Sequence, residues 1–273
     1  NRPMVAINQW EQAADSMYTL CGKDRIHPST DGHLVMAYLF LKAQGLAGKP
    51  VADIRIDGAG KKVTRSDNCR VSDLSISSDN LTFTYEAKSL PYPIDTSYYD
   101  NEKHTQADAL SVIPFMDEMN YEGLSVSGLS DGYYGLTIGG EFIGRFTARE
   151  LERGINMALL QNTPQYKQAM KIRQMNEERW LKERKMREFY WVEYNLMRKT
   201  GMLWACNEAA VDTLRKYRPH DIFLQWNGAL WLQYMHKGIR EDCVNEQQDL
   251  VNQIYEQNKP IPLRIEIKKF TDL

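Results

Sequence analysis

The hydrophobic pattern of this chain changes its period, and that change limits what it can fold into. Over residues 51–147 apolar side chains fall in short runs. Several alternate with polar residues, as in Leu74-Ser75-Ile76-Ser77 and Leu81-Thr82-Phe83-Thr84-Tyr85. Successive strand side chains point to opposite faces, so period two describes half-buried antiparallel strands. Asp57-Gly58, Ser78-Asp79-Asn80, Asp131-Gly132 and Gly139-Gly140 lie between or beside these runs as turns. Tyr133 to Phe146 reads as a hairpin around Gly139-Gly140. From residue 148 to about 258 the spacing is helical. Thr163-Pro164 opens a long charged helix with Pro at its first position. Ala169, Ile172 and Met175, then Phe189, Val192 and Leu196, keep one face apolar, and Gly201 ends it. Pro260 and Pro262 break the helical pattern, and Leu263-Arg264-Ile265-Glu266-Ile267 alternates as a closing strand.

Residues 1–50 read as α/β material. Ser29, Thr30 and Asp31 are good N-cap types and Gly45 supplies a stop. Between them Leu34 to Leu41 is apolar nearly all round, which predicts a helix buried on more than one side. The expected architecture is mixed α+β: an α/β segment over 1–50, a small antiparallel β-sandwich-like domain over 51–147, and a helical region with a closing strand over 148–273.

The 273 residues are 42% hydrophobic and 26% charged, an ordinary globular composition that excludes wholesale disorder. Leu34 to Leu41 is too short for a membrane span, and no signal peptide is visible. The chain begins at Asn1 rather than Met, so it is expected to start inside a longer product or after processing. Residues 148–203 hold 12 basic and 7 acidic side chains, against 13 and 19 over residues 1–147. Alternating Glu, Lys and Arg describe a solvated helix face, so no nucleic-acid partner is expected. Cys21, Cys69, Cys206 and Cys243 form no Cys-x-x-Cys pair and no Cys/His cluster, so no structural zinc is expected. Buried or free thiols are the favoured reading, with a Cys206–Cys243 bridge open in an oxidising compartment.

The most informative stretch runs Gly22-Lys23-Asp24-Arg25-Ile26-His27-Pro28-Ser29-Thr30-Asp31-Gly32-His33. Asp24 and His27 share a loop just ahead of the apolar helix. Their spacing lets the carboxylate accept a hydrogen bond from the imidazole, which fixes the tautomer and leaves the other nitrogen as a base. Pro28 stiffens the loop. Asp24-Arg25-Ile26-His27-Pro28, followed by Gly32-His33-Leu34-Val35-Met36-Ala37, resembles the last conserved block of the SGNH/GDSL hydrolases. The resemblance implies the end of a flavodoxin-like three-layer α/β/α domain over residues 1–50. It also implies His27 as general base and Asp24 as its orienting partner in a Ser-His-Asp triad. Gly154-Ile155-Asn156-Met157-Ala158 and Thr163-Pro164 resemble a segment of the C-terminal extension of longer bacterial members.

The family's Gly-Asp-Ser nucleophile block and its oxyanion-hole blocks do not precede Asp24. Ser130, within Gly128-Leu129-Ser130-Asp131-Gly132, reads as a hairpin-turn residue. Asn156 is a candidate substrate-lining residue, with a helix-start or packing role as the alternative. His33 reads as capping or packing, His104 as a solvated loop residue, Asp221 beside His220 as a helix cap, and His236 as a helix-end residue. Trp180, Tyr190, Trp191 and Tyr194 accompany basic residues and read chiefly as core or interdomain packing, with glycan or nucleic-acid binding as the alternative.

The resulting expectation is the C-terminal part of an SGNH-type esterase, with its serine outside this chain and a carboxylic ester, including carbohydrate acetyl esters, as substrate. It needs no metal or organic cofactor. The expected partners are the ester substrate and the missing N-terminal segment. Longer members are often exported, so the resemblance implies a periplasmic or secreted setting. The rival reading is a non-catalytic glycan- or protein-binding module appended to a hydrolase.

Overall fold

The structure, a computed structural model, describes residues 2–22, 24–97 and 104–270. The chain forms two compact units: Asn1–Met170 together with Lys259–Leu273, and Lys171–Asn258. The expected boundaries at 50 and 147 do not coincide with this division.

The first unit begins with α1 (Arg2–Gln12) and α2 (Thr30–Ala43), followed by β1 (Ala52–Asp57), β2 (Lys62–Asp67), β3 (Cys69–Ile76) and β4 (Asn80–Ala87). A short helix, α3 (Phe115–Glu118), leads into β5 (Glu122–Ser127), β6 (Tyr133–Ile138) and β7 (Glu141–Thr147). Then come α4 (Ala148–Arg153), β8 (Ile155–Asn156), the start of α5 (Pro164–Val192) and finally β9 (Leu263–Lys269). Two sheets form, with strand orders β2-β1-β5-β8 and β3-β4-β9-β6-β7. Ile54, Leu124 and Val126 of the first sheet share one core with Phe83, Tyr134, Leu136 and Ile265 of the second. The class is mixed α+β.

Local chemistry explains the strands. β4 buries Leu81, Phe83 and Tyr85 in strict alternation. β6 and β7 pair antiparallel, and Gly139 and Gly140 take φ of 59° and 85°. Both central residues of such a turn need positive φ, which glycine supplies without strain. Two expectations need correction. The β1–β5 pairing is parallel. Ala52, Asp53 and Ile54 of β1 are consecutively buried, the pattern of a strand covered on both faces. The closing strand does not belong with the helices either: β9 lies between β4 and β6, in the middle of its sheet.

A second core in this unit joins Leu20, Leu34, Val35 and Tyr38 to Ile94, Ile113, Phe115 and Met116. It buries one face of α2. The expectation of burial on several sides fails, because Met36 and Phe40 are 44% and 64% exposed.

The second unit holds the remainder of α5, a π-helical turn over Glu193–Met197, α6 (Glu208–Tyr217), α7 (Ile222–Tyr234) and α8 (Lys237–Gln257). Gly201 follows the π-turn with φ of 74°. Phe189, Val192, Leu196, Leu214, Leu224 and Trp231 are buried in its core. Glu193 is buried there too, accepting from the Trp231 indole at 2.8 Å and from the Trp204 backbone N–H at 2.8 Å. Asp221 caps α7 by accepting from the Phe223 and Leu224 amides. All four cysteines are free; Cys243 is buried, while exposed Cys206 meets the His236 Nδ1 at 3.3 Å.

Candidate active site

The loop that carries Asp24 and His27 is tied at its base. Cys21 and Pro28 form an isolated bridge. The Gly22 amide donates to the His27 carbonyl at 2.7 Å, and the Ser29 amide donates to the Leu20 carbonyl at 3.1 Å. Arg25 turns the chain with φ of 57°, the left-handed region that tight turns occupy. Inside this loop Asp24 Oδ1 accepts from the backbone amides of Ile26 at 2.9 Å and His27 at 3.1 Å. Its other oxygen, Oδ2, meets His27 Nδ1 at 2.6 Å. The carboxylate is thus oriented by the backbone and in turn orients the imidazole. The hydrogen bond from the His27 side chain, with those from the Ile26 and His27 amides, holds the Asp24 carboxyl down at about 2. Accepting a proton from Nδ1 leaves the His27 Nε2 lone pair free.

The helix behind the loop is anchored against it. Ser29, at the start of α2, also donates its hydroxyl to the Leu20 carbonyl at 3.2 Å and to Asp31 Oδ1. Buried Asp31 accepts from the Gly32 amide at 2.8 Å, and His104 Nδ1 approaches its second oxygen at 3.5 Å. His104 lies on a loop with its side chain 42% exposed, as expected, yet it also reaches this buried carboxylate, a contact that 73 positions of separation hid from a reading of local spacing. His33 Nδ1 lies 2.9 Å from the Ser29 carbonyl, a capping contact.

The other candidates lie elsewhere in the network. Asn156 does not contact Asp24 or His27. Its Oδ1 accepts from the amides of Glu122 at 3.0 Å and Ala158 at 3.1 Å. Its Nδ2 donates to the carbonyls of Met116 at 3.1 Å and Asn120 at 3.3 Å. Its carboxamide thus knits three backbone segments. Ser130 Oγ accepts from Lys269 Nζ at 2.8 Å and lies 3.1 Å from the Tyr134 hydroxyl, with no histidine bonded to it. Trp180, Tyr190 and Tyr194 are exposed, which corrects the expectation that they pack in a core. Helical spacing alone does not separate a core stripe from a second, exposed aromatic face.

A buried carboxyl also escaped the sequence reading. Glu122, wholly buried in β5, accepts from the Tyr85 hydroxyl at 2.8 Å and from Gln165 Nε2 at 3.2 Å. No group of three His, Cys, Asp or Glu that could hold a metal ion occurs among the described residues. No described helix is long and apolar enough to cross a membrane.

Comparison with known proteins adds a direction to this geometry. Residues 170–259 match the family described as the diltiazem deacetylase C-terminal helical domain. No curated protein matches the chain. Among solved structures the chain is similar to a gut microbial diltiazem-metabolizing enzyme, with a TM-score of 0.93 and 42% identity over 99% of this chain. The chain spans 61% of that enzyme's length.

Proposed function

We propose that this chain is the His–Asp-bearing part of an ester hydrolase of the deacetylase kind. The observation that carries the reading is the Asp24 Oδ2–His27 Nδ1 pair at 2.6 Å, on a loop whose backbone amides hold the carboxylate in place. In the proposed reaction His27 Nε2 removes the proton from a serine hydroxyl as that oxygen attacks the ester carbonyl. The imidazolium is stabilised by Asp24 and returns the proton to the departing alkoxide. Water then enters by the same route, with His27 again as base, and releases the acid. The SGNH-type assignment and carbohydrate acetyl esters as substrates belong to the same proposal. They rest on the Asp24-Arg25-Ile26-His27-Pro28 resemblance.

Two features support a nucleophile supplied by a segment other than this one. The His27 side chain is 83% exposed, and no hydroxyl or thiol among the described residues is bonded to it. Val5, Trp10, Met17, Ile26, Met36 and Phe40, all in the same N-terminal stretch, are exposed apolar side chains. Exposed apolar side chains gathered in one stretch of the chain are consistent with a covering segment.

The test is turnover of p-nitrophenyl acetate. This chain alone is expected to be nearly inactive. Fusion to the part of the similar enzyme that this chain does not span should restore activity, and His27→Ala in the fused protein should lower it at least about a thousandfold. Strong turnover by this chain that survives His27→Ala would overturn the assignment.

A further inference from the structure

We propose that the helical unit carries a binding site for an acidic saccharide, in the cleft between α5 and α7. The cleft measures about 300 Å³ and is lined by Trp180, Arg184, Arg187, Glu188, Trp191 and Asn227. It is open to solvent along one side, so it would cover one face of a ligand rather than enclose it. The five α5 residues occupy positions i, i+4, i+7, i+8 and i+11, so one helix face presents them together. Phe223 and Trp226 continue the aromatic wall along α7, with ring centroids 5.3 Å apart for Trp191–Phe223 and 5.5 Å for Phe223–Trp226.

The chemistry of this wall selects the ligand. Indole faces bind the C–H face of a sugar ring, and indole N–H groups donate to its hydroxyls. Neither the Trp180 nor the Trp191 indole N–H has a hydrogen-bond partner among the described residues. The Asn227 carboxamide likewise has none, which leaves both a donor and an acceptor for a ligand. Charge narrows the class further. Arg184 is held by Glu188, Nε to Oε1 at 2.7 Å. The Arg187 guanidinium lies 5.6 Å from the Trp180 ring, and its nearest carboxylate, on Glu183, is 3.6 Å from Nε. Its terminal nitrogens are free to take a carboxylate in a two-pronged contact. Glu183 also pairs with Arg179 at 3.3 Å, so this stretch of α5 sets the guanidiniums of Arg179, Arg184 and Arg187 against the carboxylates of Glu183 and Glu188, one positive charge in excess. A pyranose bearing a single carboxylate, a uronate residue, meets each of these groups. The site stands apart from the hydrolase reading, because none of its lining belongs to the unit that carries Asp24 and His27.

The experiment is an equilibrium titration of the intact chain with galacturonic acid and its trimer, followed by tryptophan fluorescence and calorimetry. Galactose and acetate serve as comparison ligands. Saturable binding of the acidic sugar is expected, at least about tenfold tighter than galactose or acetate. Arg187→Gln and Trp180→Ala should each weaken it about tenfold, and Trp180→Ala should also reduce the fluorescence change at saturation, both with an unchanged unfolding midpoint. Absence of saturation up to about 10 mM would overturn the proposal, as would equal affinity for galactose, or full affinity in both variants.

Discussion

Glu122 is a carboxyl that the fold holds away from water. Burial pushes it up to about 7, and hydrogen bonds from Tyr85 and Gln165 act in the opposite direction. A carboxyl raised in the native state binds its proton more tightly folded than unfolded. Its contribution to stability is full below about 4.5, its ordinary value, and is lost as pH rises through about 7. A shift of that size corresponds to roughly 3 kcal/mol across the window. Glu122→Gln removes the titration and keeps the shape. Gln165 Oε1 is buried without a hydrogen-bond partner. After half a turn of its carboxamide it could accept from the new amide. The expected outcome is a chain whose denaturant stability falls from pH 5 to pH 8 in the native protein and changes much less in Glu122→Gln. Parallel pH profiles for the two proteins would show that the carboxyl titrates normally. The same residue-scale network explains the position of Asn156, which accepts from the Glu122 amide.

At the scale of elements, the approach of α2 to the Asp24–His27 loop depends on Gly32. A Cβ there would stand 2.0 Å from the Leu20 carbonyl oxygen, the atom that receives both the Ser29 amide and the Ser29 hydroxyl. Gly32→Ala must therefore push the helix start off the loop base. It is expected to cost about 1–3 kcal/mol and to displace the Asp24–His27 pair. Gly238→Ala, where a Cβ meets nothing within 4 Å, is the control and should be neutral or mildly stabilising. Thermal unfolding of both variants decides the matter, and equal midpoints would refute the contact. How legible these elements are follows from where their partners lie in the chain. β4, the β6–β7 hairpin, β9 and the Asp24–His27 loop are readable because their determinants lie within a few residues. The parallel β1–β5 pairing, the Asp31–His104 contact and the Glu122–Tyr85–Gln165 cluster join distant segments, and no local period encodes them. The exposed face of α2 is a related case. An all-round apolar helix specifies burial but not which neighbour provides it.

At the scale of the whole molecule, the chain order and the compact units disagree in an informative way. Residues 171–258 form their own unit, yet β9, which follows them, occupies the middle of the first unit's larger sheet. The helical unit is thus an excursion from the first one. The points of departure and return are close, because Gln168 Nε2 donates to the Lys259 carbonyl at 2.8 Å. A linker of four Gly/Ser residues, reaching up to about 13 Å, should bridge the gap left by excising 171–258. The excised protein is expected to unfold cooperatively and to keep a dispersed amide spectrum, because β9 still reaches its place between β4 and β6. Truncation after Asn258 makes the opposite change. It keeps the helices and removes Leu263, Ile265 and Ile267, all buried, from the shared core. Both sides of the β9 slot then expose unpaired backbone groups and apolar surface. The first unit should lose its cooperative transition, while the helical unit retains its far-ultraviolet signal. If the truncated chain melts like the native one, β9 is a peripheral strand and the excursion topology is wrong. If the excised chain fails to fold while its linker is long enough, the first unit depends on the helices as well as on the strand that follows them.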